Sequence, residues 1–221
     1  MILKLKRTPG IYVVGFMASG KTTIGHLLAA ELGWTFADLD DDIELASGTS
    51  IAEIFDTLGE AEFRRLETEA IQKRVRLIER GRPMVVALGG GAFAHQGNFE
   101  LLENNGISVW LDCPFETVAE RVARASHRPL ARDAIRFREL YEARQTAYAR
   151  ADYRIEITCD EPSVAVESIL SLPILDVEVP AIRRVQNSWR GFESCRSFRS
   201  CAAPRAFRKR CLDRGPEKIS A

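Results

Sequence analysis

The chain has 221 residues, 46% hydrophobic and 28% charged, enough to bury one substantial core. No apolar run reaches the ~18 residues of a membrane-spanning helix, the opening MILKLKRTPG lacks the apolar stretch of a secretory leader, and five cysteines without a C-x-x-C pair or neighbouring histidines exclude a zinc site of the usual spacing. Formal charge is zero but unevenly divided: residues 176–221 carry 11 Lys and Arg against 5 Asp and Glu, leaving 20 against 26 for residues 1–175.

Residues 11–14, β-branched and aromatic, read as a central strand. The strand runs into GFMASGKT, residues 15–22, which matches the phosphate-cradling pattern G-x-x-x-x-G-K-[ST]. Gly15 and Gly20 let the backbone approach an anion, successive N–H groups point inward, and the helix opening at Lys21 adds its positive end. Ala18, Ser19, Gly20, Lys21, Thr22 and Thr23 are therefore the candidate nucleotide cradle. Lys21 supplies charge to the outer phosphates, and the Thr22 hydroxyl suits Mg²⁺. Ile24, Leu27, Leu28 and Leu32 share one face of that helix, and Gly33 stops it. A short strand at 35–39 and the acidic run 38–42 follow. Ser50 and Glu53 form a capping box, and a helix spans about 61–79. Strand 84–88 ends on Gly89, Gly90 and Gly91, and strand 107–112 precedes Pro114 and a helix to about 125. A charged stretch, SHRPLARD, leads to a helix over 134–150, a last strand at 153–157 and a last helix at 163–170. Cys113 and Cys159 read as small core or near-surface thiols, and His26, His95 and His127 as scattered, locally bonded residues.

Apolar strands alternating with helices predict an α/β fold with a parallel sheet covered on both faces. Ligands of such sheets sit beyond the carboxyl ends of the strands. That rule collects 15–22, Asp38 with Asp40, and 89–91 along one edge. If the backbone stays extended, Asp38 and Asp40 face one crevice. One would then hold a water of the Mg²⁺ shell and the other draw the proton from an acceptor hydroxyl. Asp41 and Asp42 suit a helix N-terminus. Arg64 and Arg65, about 100° apart on a helix, cannot share one job. Arg64 follows Phe63 and the earlier Phe55, a cation beside aromatic surface. Three consecutive glycines after a buried strand let a ligand lie directly on backbone N–H groups.

The order and spacing of GFMASGKTT, FADLDDDIE, GEAEFRRLE, LGGGAF, HRPL and YEARQTAY make residues 10–172 resemble the shikimate kinases. The resemblance implies a P-loop three-layer sandwich with a five-stranded parallel sheet, like that of the nucleoside monophosphate kinases. It implies phosphorylation of shikimate by ATP with Mg²⁺ in the cytoplasm, by a monomer with no membrane or nucleic-acid partner. Carried over by position, Lys21 meets the ATP phosphates, Thr22 ligates Mg²⁺ and Asp38 lies near it through water. Asp40 binds a shikimate hydroxyl as the base, and Arg64 and Arg144 clamp the carboxylate. Gly89, Gly90 and Gly91 line the ring side, with Gly90 in direct contact, and Arg128 closes on the phosphates. The 158–162 loop, TCDEP, lies near adenine but holds no basic residue. The rivals are another small-molecule kinase, such as a gluconate kinase, and a P-loop regulatory switch. The switch would carry an N-K-x-D guanine-reading motif, which is absent.

Residues 1–175 are expected to form the kinase domain, and 176–221 a basic, disordered tail dispensable for catalysis. A chain ending at residue 175 should keep kcat and KM within about twofold and melt at nearly the same temperature, and protease should trim the full chain to this core first. A large loss of activity, or a protected tail, would count against the division.

Overall fold

The computed structural model describes residues 10–124 and 134–173. All of them fall within one compact unit, Met1–Val177. The expected tail, Arg128 and His127 lie outside the described residues.

Five strands form one parallel sheet in the order β2-β3-β1-β4-β5: β1 (Gly10–Val14), β2 (Thr35–Asp38), β3 (Met84–Ala87), β4 (Ile107–Asp112) and β5 (Tyr153–Glu156). The central strands β1 and β3 are buried at every position, as expected for a parallel sheet with helices on both faces. Edge strand β5 is different: only Ile155 is buried, and Arg154 pairs with Asp112 on β4 and Glu156 on its own strand. The helices are α1 (Lys21–Leu32), α2 (Leu39–Ser47), α3 (Ile51–Thr57), α4 (Gly59–Glu79), α5 (Gln96–Glu103), α6 (Phe115–Arg124), α7 (Ala134–Tyr148) and α8 (Pro162–Leu170). α1 packs on α8, and α4 on α5.

Register sets where the functional segments emerge. Val13 pairs with Ala87, and Ala87 with Asp38, so β1, β3 and β2 finish nearly level. Their following residues, 15–20, 88–91 and 39–42, therefore issue side by side from one edge.

Local sequence explains most boundaries. Gly33 and Gly48 end α1 and α2 in left-handed conformations. Ser50 and Glu53 make both bonds of the expected capping box at α3, and Pro162 takes the first turn of α8. Three expectations shift, and two further elements appear. Leu27 is 43% exposed, because the buried stripe of α1 is Ile24, Gly25, Leu28 and Ala29. Helix α4 starts at Gly59. Residues 39–42 of the acidic run lie in a helix, α2, which Asp38 caps. A 3-10 turn (Ala92–Ala94) and α5 fill a stretch with no clear apolar period. Cys113 is buried and Cys159 exposed, both as free thiols. His26 stacks on Phe36, with ring centroids 3.9 Å apart.

Candidate active site

The 15–20 loop is wrapped tightly on the sheet edge. A Cβ at Gly15, where φ is +147°, would sit 2.8 Å from the Leu111 carbonyl oxygen. Ala18 also takes a left-handed conformation, with φ 58°; such conformations cost non-glycine residues energy and persist where the surrounding structure imposes them. Lys21 folds back over the loop, its Nζ donating to the carbonyls of Gly15 (3.1 Å) and Phe16 (2.9 Å). Ser19 is 1% exposed, and its hydroxyl has no hydrogen-bond partner among the described residues.

Beside this loop the Thr22 hydroxyl donates to Asp38 at 2.7 Å. Asp38 also caps α2, its other carboxylate oxygen accepting from the Asp40 N–H at 3.0 Å. The extended backbone expected through Asp38 and Asp40 is therefore corrected. The Asp38 side chain captures the Asp40 amide and starts a helix, as short acidic side chains do at N-caps. Asp40 still reaches the crevice, from the first helical turn. Its carboxyl is raised above the ordinary range, first by desolvation and then by neighbouring Asp38, with Lys21 opposing. Solvent reaches Asp40, but protein surrounds it on most sides; that concave setting produces the shift. Asp42 does more than suit the helix dipole, since it holds Arg74 of α4 in a two-pronged ion pair.

Two of the three glycines, Gly89 and Gly91, serve close approach. A Cβ on Gly89 would lie 2.8 Å from the Asp40 carboxylate, and one on Gly91 2.6 Å from the Arg64 guanidinium. Neither position has a positive φ. The side chains of Asp40 and Arg64 can press against this backbone only because no Cβ intervenes. Arg64 sits 5.2 Å from the centre of the Phe63 ring and is held by Glu67 at 3.1 Å and Glu60 at 3.1 Å. Arg65 faces elsewhere, paired with Glu62 and Glu69. Glu67 is 1% exposed. Burial raises its carboxyl, and the Arg64 charge beside it opposes that rise. From α7, Arg144 donates to the Gly91 carbonyl at 3.3 Å and Tyr148 to the Gly90 carbonyl at 2.5 Å.

A cavity of about 550 Å³ lies against the loop, within the usual range of small-molecule sites. Ala18, Ser19, Gly20, Lys21, Thr22, Thr23, Asp38, Asp40 and Gly90 all line it, as does the 158–162 loop. Gly89, Gly91, Arg64 and Arg144 lie outside its wall, grouped beyond Asp40 and Gly90. The structure thus brings the expected residues into two adjoining groups, except Arg128, which is not among those described. Sequence reasoning missed Glu67, Tyr148 and Arg121. From α6, Arg121 donates to the Ala18 carbonyl (3.0 Å) and pairs with Asp160 (2.6 Å), bringing a cation to the loop that lacks one.

Thr22 and Asp38 present adjacent oxygens at the cavity, which suits a hard divalent ion bound jointly with nucleotide phosphates. Among the described residues no cluster of three or more His, Cys, Asp or Glu is arranged to hold a metal.

A phosphate-binding loop on the central strand of a five-stranded parallel sheet, with an aspartate of raised pKa and two arginines beside it, defines a P-loop kinase of small molecules. Comparison with known proteins narrows the class. The shikimate kinase family matches residues 17–172. A shikimate kinase of Persephonella marina is 43% identical over 161 residues, 72% of this chain and 96% of that protein. A shikimate kinase of Caulobacter vibrioides is 44% identical over 169 residues, 75% of this chain and 82% of that protein. The structure of Acinetobacter baumannii shikimate kinase in complex with shikimate superposes with a TM-score of 0.68 at 36% identity, covering 75% of this chain and 92% of that one. The chain belongs to the shikimate kinase family.

The raised carboxyl of Asp40 has a consequence for stability. A carboxyl whose folded-state pKa is raised stabilises the fold below its unfolded value, and that contribution is lost as pH rises through the folded value. At neutral pH the Asp40 charge therefore opposes folding. Asp40→Asn should melt at a higher temperature than the unmodified protein at pH ~7, with the gap closing toward pH ~4. Equal melting temperatures at neutral pH would show that Asp40 carries no such burden.

Proposed function

We propose that this protein transfers the γ-phosphoryl group of ATP to the 3-hydroxyl of shikimate, giving shikimate 3-phosphate for chorismate and aromatic amino-acid synthesis. One observation carries the reading within this family: Asp40, Arg64, Arg144 and the 89–91 loop meet beside a nucleotide-sized cavity that Asp40 and Gly90 also line.

ATP phosphates rest on the N–H groups and side chains of residues 18–23, with Lys21 moving from the loop carbonyls to the outer phosphates. Mg²⁺ would be held by the Thr22 hydroxyl and, through water, by Asp38. When bound it neutralises charge on the β- and γ-phosphates. Arg64 and Arg144 grip the planar carboxylate of the acceptor, whose two oxygens match guanidinium forks. Glu67 and Glu60 hold Arg64 ready for that grip. Asp40 accepts the proton of the attacking hydroxyl, and its raised carboxyl makes it a better base than an unperturbed aspartate. Gly90 contacts the ring, flanked by Gly89 and Gly91. Arg128 completes the phosphate side, excluding water so that the phosphoryl group passes to the hydroxyl. Residues 1–175 suffice for this chemistry. The same reading makes the protein a cytoplasmic monomer binding neither membrane nor nucleic acid. Among the described residues no helix is long and apolar enough to cross a membrane.

ADP release from ATP and Mg²⁺ should occur with shikimate and stay at background with gluconate, AMP or no acceptor. Turnover with gluconate or AMP in place of shikimate would replace the assignment. Asp40→Asn should lower kcat by ~10²-fold or more with little change in ATP affinity. Arg64→Lys or Arg144→Lys should raise KM for shikimate more than ~10-fold while leaving that for ATP unchanged, since the planar fork is lost. Equal damage to ATP binding would move these arginines to the nucleotide side.

A further inference from the structure

The hydrogen-bond pattern of the 89–91 loop is one-sided. Each carbonyl is taken: Gly89 accepts from the Ala92 N–H at 3.1 Å, Gly91 from the Ala94 N–H at 3.1 Å, and Gly90 from the Tyr148 hydroxyl at 2.5 Å. Among the described residues nothing accepts from the N–H of Gly89, Gly90 or Gly91. Three successive backbone donors are thus left for a ligand, in a protein where such groups are ordinarily paired.

Two of the three carbonyls are fixed by the 3-10 turn that follows. The Gly90 carbonyl is fixed from a distance, by a side chain 58 residues along the chain. A peptide unit is a rigid plate, so holding the Gly90 oxygen also fixes the direction of the Gly91 N–H on its opposite side. With glycine on both sides, that plate meets little steric resistance to turning over. It needs an external pin. Gly91 also abuts Arg64, so the direction of its N–H matters to whatever Arg64 binds.

Tyr148 is built for the task. It is fully buried, and its ring lies against Trp110 of β4, with centroids 6.2 Å apart. It stands four residues after Arg144, so one face of α7 reaches two successive carbonyls of the loop. Burial also raises the phenol, so it stays a donor throughout the physiological range.

We propose that Tyr148 is a positioning residue for the acceptor: its hydroxyl pins the Gly90–Gly91 peptide so that the Gly91 N–H faces the substrate carboxylate or hydroxyl. This rests on the assignment of shikimate as acceptor. Tyr148→Phe keeps the ring and its packing and removes only the pin. KM for shikimate should rise roughly tenfold, the scale of one lost oriented hydrogen bond, while KM for ATP stays within about twofold. A purely structural role would lower the melting temperature without that split. An acceptor KM within about twofold of the unmodified protein, or an equal rise for both substrates, overturns the proposal. If the variant does not fold, hydrogen exchange at the Gly91 amide of the unmodified protein decides. Slowing by shikimate alone supports the pin, and no change overturns it. Absence of shikimate-dependent ADP release by the unmodified protein defeats the assignment of function instead. Normal release with an unaltered acceptor KM in the variant defeats only the role of Tyr148.

Discussion

Parallel pairing of β1 with β3 and of β3 with β2 is the constraint from which the site follows. In that register Val13, Ala87 and Asp38 stand abreast, so a phosphate loop, a glycine loop and an acidic helix start must leave the sheet at one level. A slip of one strand would carry its loop by about 3.3 Å and invert its alternating side chains. The buried apolar runs of β1 and β3 resist such a slip, since both faces are covered. Chemistry here depends on a core that contributes no catalytic group.

The three level segments then constrain one another. Asp40 fits because residue 89 has no Cβ, and Arg64 because residue 91 has none. Glu67 is buried with its charge opposed by Arg64 and crowded by Asp40. Two carboxyls thus sit where their charged forms are disfavoured, and Lys21 and Arg64 partly offset the cost. Such an arrangement is pre-organised at the expense of stability, as sites that must act on charge commonly are. The Asp42–Arg74 pair ties α2 to α4 and so connects the helix carrying Asp40 to the helix carrying Arg64 and Glu67.

The parts legible in the sequence are those whose chemistry is local. The phosphate loop declares itself because four positions over eight residues, Gly15, Gly20, Lys21 and Thr22, are all set by one task. The capping box at Ser50 needs only a three-residue spacing. Strand identity followed from apolar runs, and the alternation of strands with helices gave the sheet. What the sequence concealed depends on partners far along the chain. Glu67, three residues after Arg64, looks like one half of a surface ion pair until α4 is packed. Arg121 reaches Ala18 across 103 positions and Tyr148 reaches Gly90 across 58; no window of local sequence holds either contact. α5 was hidden for another reason: eight residues with glycine second give no sustained period. The extended reading of Asp38 to Asp40 failed because one side-chain hydrogen bond outweighed strand continuation.

Edge strand β5 bears on how the protein behaves in crowded solution. An open strand edge offers unpaired N–H and C=O groups to a strand of another molecule, the first step toward fibrillar aggregation. β5 offers a poor template. It has four residues, and two of them, Arg154 and Glu156, are charged and tied together with Asp112 of the neighbouring strand. An incoming strand would have to strip water from that cluster along a contact too short to repay it, so self-association through this side of the sheet is discouraged without any additional covering element.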